Sequence, residues 1–293
     1  MIKQILAISS IVLFSSAISA AEIIPYGSFN YKWSNDENSS GKSYSKLEDN
    51  GSSIGVEVID LGAEGDTITG FAKLEVGVDT DDSGSDTFDS KLAYVGLDSN
   101  MGALSVGRQS HPFTDNIGGK TSIFNVYGGS SDWNYGSRSS NSMKFSTTQS
   151  GLTLDTIGIV DGSSTNTNAF DEFEVTISTK LLGSDVSVGY ADDVNSDISY
   201  WGVAGSTDLG PLTVSSSYTI YDAATDKYGL EATASYSIFS VGYGDKEGTG
   251  VSYTAGVSHD LNKSVSVYAE GEMKDLDSGS DTTSWSIGSK FTF

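Results

Sequence analysis

The chain has 293 residues, with 39 acidic against 16 basic side chains, a net charge of −23, no cysteine, 3 prolines and 34 glycines. That charge excludes a nucleic-acid partner, since nothing here could neutralise a run of phosphates. The missing cysteines exclude a disulfide framework, thiolate metal sites and cysteine nucleophiles. The 15 Tyr, 12 Phe and 4 Trp are spread along the whole length, so an acidic disordered tail does not fit either.

Residues 1–20 carry one charge, Lys3, then an apolar stretch from Ile5 to Phe14, then the small residues Ser15, Ser16, Ala17, Ser19 and Ala20. This pattern predicts a secretory signal peptide cleaved after Ala20, and its apolar part is too short to span a bilayer. The expected organisation is thus a leader, 1–20, and one exported domain, 21–293. An export route also suits a chain without thiols.

Downstream the sequence alternates with a period of two. Strands are expected at Ile24–Trp33, Ser53–Leu61, Thr67–Asp79, Lys91–Leu97, Ala103–Arg108, Arg138–Thr148, Leu152–Val160 and Glu172–Leu181. The series continues with Asp185–Tyr190, Ile198–Thr207, Leu212–Tyr221, Tyr228–Ile238, Ser240–Gly244, Gly250–Ser258, Val265–Lys274 and Ser284–Phe293. In the stretch from Ser264, Val265, Val267, Ala269, Gly271 and Met273 share one face, and Tyr268, Glu270, Glu272 and Lys274 lie on the other. Many runs approach the ~9–11 residues that a tilted strand needs to cross a bilayer, longer than the ~5–6 of a soluble sandwich.

Tight separators such as Leu182–Ser184 and Asp208–Pro211 contrast with long polar ones such as Asp79–Ser90 and Asp275–Thr283. An all-β, transmembrane, antiparallel up-and-down barrel of about sixteen strands accounts for that rhythm, and one so wide must hold water. Its polar face would line the lumen. That face carries Lys73, Glu75, Glu172, Glu174, Glu231, Glu270 and Glu272, with Lys144, Lys180, Lys274 and Lys290. The chain ends on an alternating aromatic strand in which Trp285, Ile287, Phe291 and Phe293 share a face, as expected where a barrel closes on its last strand.

These features resemble the general porins of the Gram-negative outer membrane. Ala21-Glu22 leading into IIPYGSFNYKW is similar to that family's first strand, LAYVGLDSNMGALSVGRQ (Leu92–Gln109) to its paired strands ending in Gly-Arg, and RSSNSMKF (Arg138–Phe145) to the strand after its constriction loop. The terminal Phe293 resembles its assembly signal. The resemblance implies a homotrimer in the outer membrane, in contact with the lipid bilayer and lipopolysaccharide. It also implies a third external loop folded into the lumen, and diffusion of small hydrophilic solutes and ions without a cofactor. The segment Ser53–Leu61 lacks the arginine that the family places on its second strand. Two loop tips compete, Asn116–Gly119 and Val126–Gly129.

Candidate constriction charges follow. Arg108 and Arg138, the chain's two arginines, flank the expected inward loop, with Lys144 beyond. Arg138 shares parity with Ser140, Ser142 and Lys144. Arg108 shares it with Leu104 and Val106, so its entry into the lumen requires a bulge or the end of the strand. Asp115 and Asp132 are the counter-charges. An arginine cluster facing acids would set a transverse field, and acidic external loops such as Asp79–Asp86 would give a mild cation preference. That run lacks the closing glutamate of a calcium loop. No catalytic or metal constellation is present: His111 and His259 lie in unrelated segments. Two other readings compete with the channel. One is a non-transport barrel acting through its acidic loops as an adhesin or structural protein. The other is a secreted β protein that binds carbohydrate.

Overall fold

A computed structural model of the protein describes residues 21–62, 66–81, 86–129, 136–160, 169–194, 197–222 and 226–293. The expected signal peptide and Asp132 lie outside the described residues. Among the described residues, seventeen strands form one antiparallel sheet. They are β1 (Glu22–Glu37), β2 (Ser43–Asp49), β3 (Ser53–Leu61), β4 (Ile68–Val78), β5 (Phe88–Ser99) and β6 (Gly102–Ser110). Then come β7 (Arg138–Gln149), β8 (Leu152–Ile159), β9 (Glu172–Leu181), β10 (Ser184–Asp193), β11 (Ile198–Leu209) and β12 (Leu212–Asp222). The last are β13 (Lys227–Tyr236), β14 (Phe239–Lys246), β15 (Gly250–Asn262), β16 (Val265–Leu276) and β17 (Thr282–Thr292).

Successive strands pair with one another, except that β2 and β3 both pair with β1, and β17 returns to pair with β1, so among the described residues the sheet closes on itself. In hydrocarbon this closure is obligatory, because an unpaired backbone has no water to bond. The terminal Phe293 completes the seam: Gly27 N–H donates to its carbonyl at 3.0 Å and its own N–H donates to Gly27 O at 3.1 Å. Its ring stacks on Phe29 at 6.2 Å, and Trp285 meets Trp33 edge-on at 5.1 Å.

The barrel has sixteen positions for its seventeen strands, because β2 and β3 are two halves of one. β3 pairs with the first half of β1, from Glu22 to Ser28, and β2 with the second half, from Tyr31 to Glu37. The expected second strand, Ser53–Leu61, is thus only the lower half. The interruption at Asn50–Ser52 is held by Asn50 N–H donating to Asn30 O at 2.8 Å and Asn30 N–H donating to Ser52 Oγ at 3.0 Å.

Burial is inverted relative to a soluble domain. Val95, Leu97, Met143, Trp201, Val241 and Ile287 stand exposed on the outer wall, whereas Ser217, Thr219, Thr233, Thr254 and Ser286 are buried on the inner one. An outside this apolar is stable only against lipid. A ring of aromatic pairs, among them Tyr190 with Trp201 and Tyr243 with Tyr253, lies near the long-loop ends of the strands.

Candidate functional site

The connection after β6 is the third long loop, and it enters the barrel. It opens with one helical turn, α1 (Pro112–Asn116), started by Pro112, which has no N–H to leave unpaired. A 3₁₀ turn, Gly118–Lys120, follows. Phe113 and Ile117 from this segment join Ala191, Tyr200 and Ala204 of the inner wall in an apolar cluster. Wall glycines make the room. A Cβ on Gly202 would lie 2.7 Å from Ile117 and 2.9 Å from Phe113, and one on Gly242 would lie 2.8 Å from Phe124. Full burial of such side chains is worth roughly 1.5–3 kcal/mol each.

Carboxylates from widely spaced wall strands then hold the loop. Glu174 on β9 accepts Phe113 N–H at 2.8 Å and faces the buried His111 ring, whose Nε2 lies 2.8 Å from Ser139 Oγ. Glu231 on β13 accepts Thr121 Oγ1–H at 3.0 Å and Gly129 N–H at 2.8 Å. Glu270 on β16 accepts Asn125 N–H at 2.6 Å, the Asn125 side-chain amide at 2.9 Å and Val126 N–H at 2.9 Å. Glu272 accepts Gly128 N–H at 3.4 Å and pairs with Lys274 at 2.8 Å. Tyr127 finally donates to Asp36 on β1 at 3.3 Å. Burial, and then the Asp36 charge, push the Tyr127 phenol well above its ordinary range.

Asn116 Nδ2–H also donates to Asp155 Oδ2 on β8 at 3.0 Å and Asn50 Nδ2–H to Asn125 O at 3.1 Å. The loop therefore runs around the inner wall from β8 to β16 and reaches β1 and the break between β2 and β3, and none of these bonds falls on β4, β5 or β6. Of the two competing tips, Asn116–Gly119 docks against the near wall and Val126–Gly129 makes the far reach. The expected lumen charges Glu174, Glu231, Glu270 and Glu272 do face inward, as loop holders. Glu172 lies opposite Asp193 and Ile159, and Lys290 opposite Asn30 and Ser266.

Arg108 keeps the parity that the sequence gives it, with Leu104 and Val106, whereas Arg138 does not keep that of Lys144. The β6–β7 register shifts where Ser140 and Asn141 stand against Arg108, with Asn141 at φ 56°. The extra residue is in β7, so β6 keeps its parity. Gln109, buried and bonded to Ser105 at 2.6 Å, takes the inward position. Arg108, opposite Ala93, has the outward parity and donates to Ser90 O at 3.0 Å and Ser140 Oγ at 3.4 Å. The same bulge moves Arg138 out of the parity of Lys144 and leaves it exposed at the start of β7, where its charge still acts on Asp115.

Asp115 and Lys144 do meet, at 3.9 Å. Burial pushes the Asp115 carboxyl above its ordinary value, and Lys144 pulls it part of the way back. On the wall from β1 to β4, Lys32 and Lys46 bracket Glu48 at 3.3 and 3.6 Å, and Lys73 pairs with Glu57 at 3.4 Å. Glu75 accepts Tyr26 O–H at 2.9 Å. Lys32, Lys46, Glu48 and Glu57 were not singled out in the sequence. Lys46 lies on the upper half of the split strand, and Glu57 lies directly opposite Lys73 across the β3–β4 pair.

A closed sixteen-position barrel, apolar outside and crossed by a loop within, defines an outer-membrane porin-type channel protein. The family model of the Gram-negative porins matches residues 7–279. The chain belongs to that family and to the outer membrane. No curated protein matched. Among solved structures, a loop-L8 deletion mutant of OmpT, an outer membrane protein of Vibrio cholerae, is 18% identical, with TM-score 0.76, 94% of this chain and 100% of that one covered. Salmonella typhi OmpF in complex with daunomycin is 15% identical, with TM-score 0.74 and coverage of 94% and 98%. The trimer form of in-vitro folded Vibrio cholerae OmpT is 16% identical, with TM-score 0.74 and coverage of 94% and 100%.

Proposed function

We propose that the protein is a non-enzymatic homotrimeric pore through which small hydrophilic solutes and ions diffuse passively, with a mild preference for cations. The observation that carries this reading is the path of the inward loop, whose holding bonds run from β8 round to β1 and Asn50, so that the passage would lie beside β4 to β6. Solutes would pass between a wall bearing Lys32, Lys46, Lys73 and Lys144 and a loop bearing Asp115, in a field running across the pore rather than along it. Acids at the loop ends, such as Asp79, Asp81 and Asp222, would concentrate cations at the mouth. Arg138 would add to the field at Asp115, and Arg108 would brace the β5–β7 wall behind it. The outer wall would meet lipid, lipopolysaccharide and neighbouring subunits.

Swelling of proteoliposomes in sugars of graded size tests the proposal. Rates should fall smoothly with solute size. A barrel that inserts yet passes no sugar would favour a non-transport role.

A further inference from the structure

The inner wall of β4 to β6 interrupts its own polar pattern. Phe71, Leu92, Tyr94 and Ala103 come together on the lumen side of β4 to β6, where period-two reasoning requires polar groups, and they line a cavity of about 290 Å³. Phe71 and Tyr94 pack edge-on at 6.3 Å. Apolar rings on the wet face of a channel cost hydration and do not serve bare ions. Charges of both signs border the same cavity: Lys73 and Lys144 from the wall, Asp115 from the loop.

These charges are only partly satisfied by one another. Lys144 Nζ lies 3.9 Å from Asp115, well beyond the ~2.7–2.9 Å of a closed charge-assisted hydrogen bond. It donates instead to Ser110 O at 3.3 Å. Half of the Asp115 side chain is exposed. Lys73 reaches Glu57 at 3.4 Å and sits 4.9 Å above the Tyr26 ring.

We infer that this cavity is a solute subsite for small zwitterions with an apolar body, such as free apolar amino acids. The ammonium would pair with Asp115, the carboxylate with Lys144 and Lys73, and the side chain would rest on Phe71 and Tyr94. A solute with one charge leaves the opposite wall charge without a partner, and glycine leaves the rings in water. The volume sits at the lower end of the ~300–1,000 Å³ of ligand pockets, so it suits a molecule of amino-acid size and no larger. The inference deepens the channel reading and rests on it.

The test is single-channel recording with the purified full-length protein, adding phenylalanine, glycine, phenethylamine or 3-phenylpropanoate in turn. Phenylalanine should give brief, saturable interruptions of the current at concentrations at least tenfold lower than the other three. Phe71→Ser and Asp115→Asn should each weaken this block about tenfold, measured against that variant's own open current. Equal block by all four probes, no saturation, or a block that neither substitution alters would overturn the inference while leaving the channel intact. Absence of any open current would instead sink the channel reading itself.

Discussion

Glu270 accepts three hydrogen bonds from Asn125 and Val126, at 2.6 to 2.9 Å, across almost half of the chain. A barrel wall and a loop far apart in sequence are thus locked by one carboxylate. Glu270→Gln would place an amide against those donors, and each N–H left unmet in the lumen costs about 1–3 kcal/mol. The loop tip should loosen while the barrel persists. Current traces should gain flicker with unchanged heat-resistant migration on a detergent gel, and quiet traces would contradict the holding role.

Gly202 offers a steric test of the same arrangement. Gly202→Leu drives a side chain into Phe113 and Ile117, which already approach its Cβ position to 2.9 and 2.7 Å. The loop root must shift inward, so open conductance should drop noticeably. Overpacking of this kind costs about 1–3 kcal/mol, too little to unfold the barrel. A variant with parental conductance would show that the loop root does not narrow the passage.

Asp115 supplies a pH dependence. Burial raises its carboxyl above the ordinary carboxylate range, with Lys144 opposing. As the pH falls, it gains a proton before solvated aspartates do, and the loop loses its charge facing Lys144. Because the folded state holds that proton more tightly, the contribution of Asp115 to stability rises as the pH falls through its raised value. Cation preference, read from reversal potentials in a salt gradient, should fall in this early window. Asp115→Asn should flatten that part of the curve.

Deleting Phe293 removes both seam hydrogen bonds to Gly27 and the stack on Phe29. Refolding into detergent should slow and the yield of heat-resistant barrel should fall several-fold. An unchanged yield would separate the terminal ring from closure.

The barrel was legible because each inner and outer face repeats every two residues, as in Val267 against Tyr268. The split of the second strand was not, since Asn50–Ser52 reads like any polar turn and only Asn30 on the opposite strand shows that the strand resumes. Asp115 with Lys144 was legible from charge and loop position. Arg108 has the outward parity that it shares in sequence with Leu104 and Val106, whereas Arg138 was read on the wrong face because the bulge at Ser140–Asn141 carries no glycine or proline to announce it. Glu231 and Glu270 looked like pore charges, and their partners include the backbone N–H groups of Gly129, Asn125 and Val126, which no side-chain pattern reveals.

The central claim is a water-filled lumen left open beside the pinned loop. Conductance of the purified protein in a planar bilayer, followed across a salt series, tests it most directly. Long-lived open steps of nanosiemens size, rising in proportion to the conductivity of the bulk solution, are the expected result. Barrels that insert, resist heat on a gel and yet leave the bilayer current at baseline would contradict it.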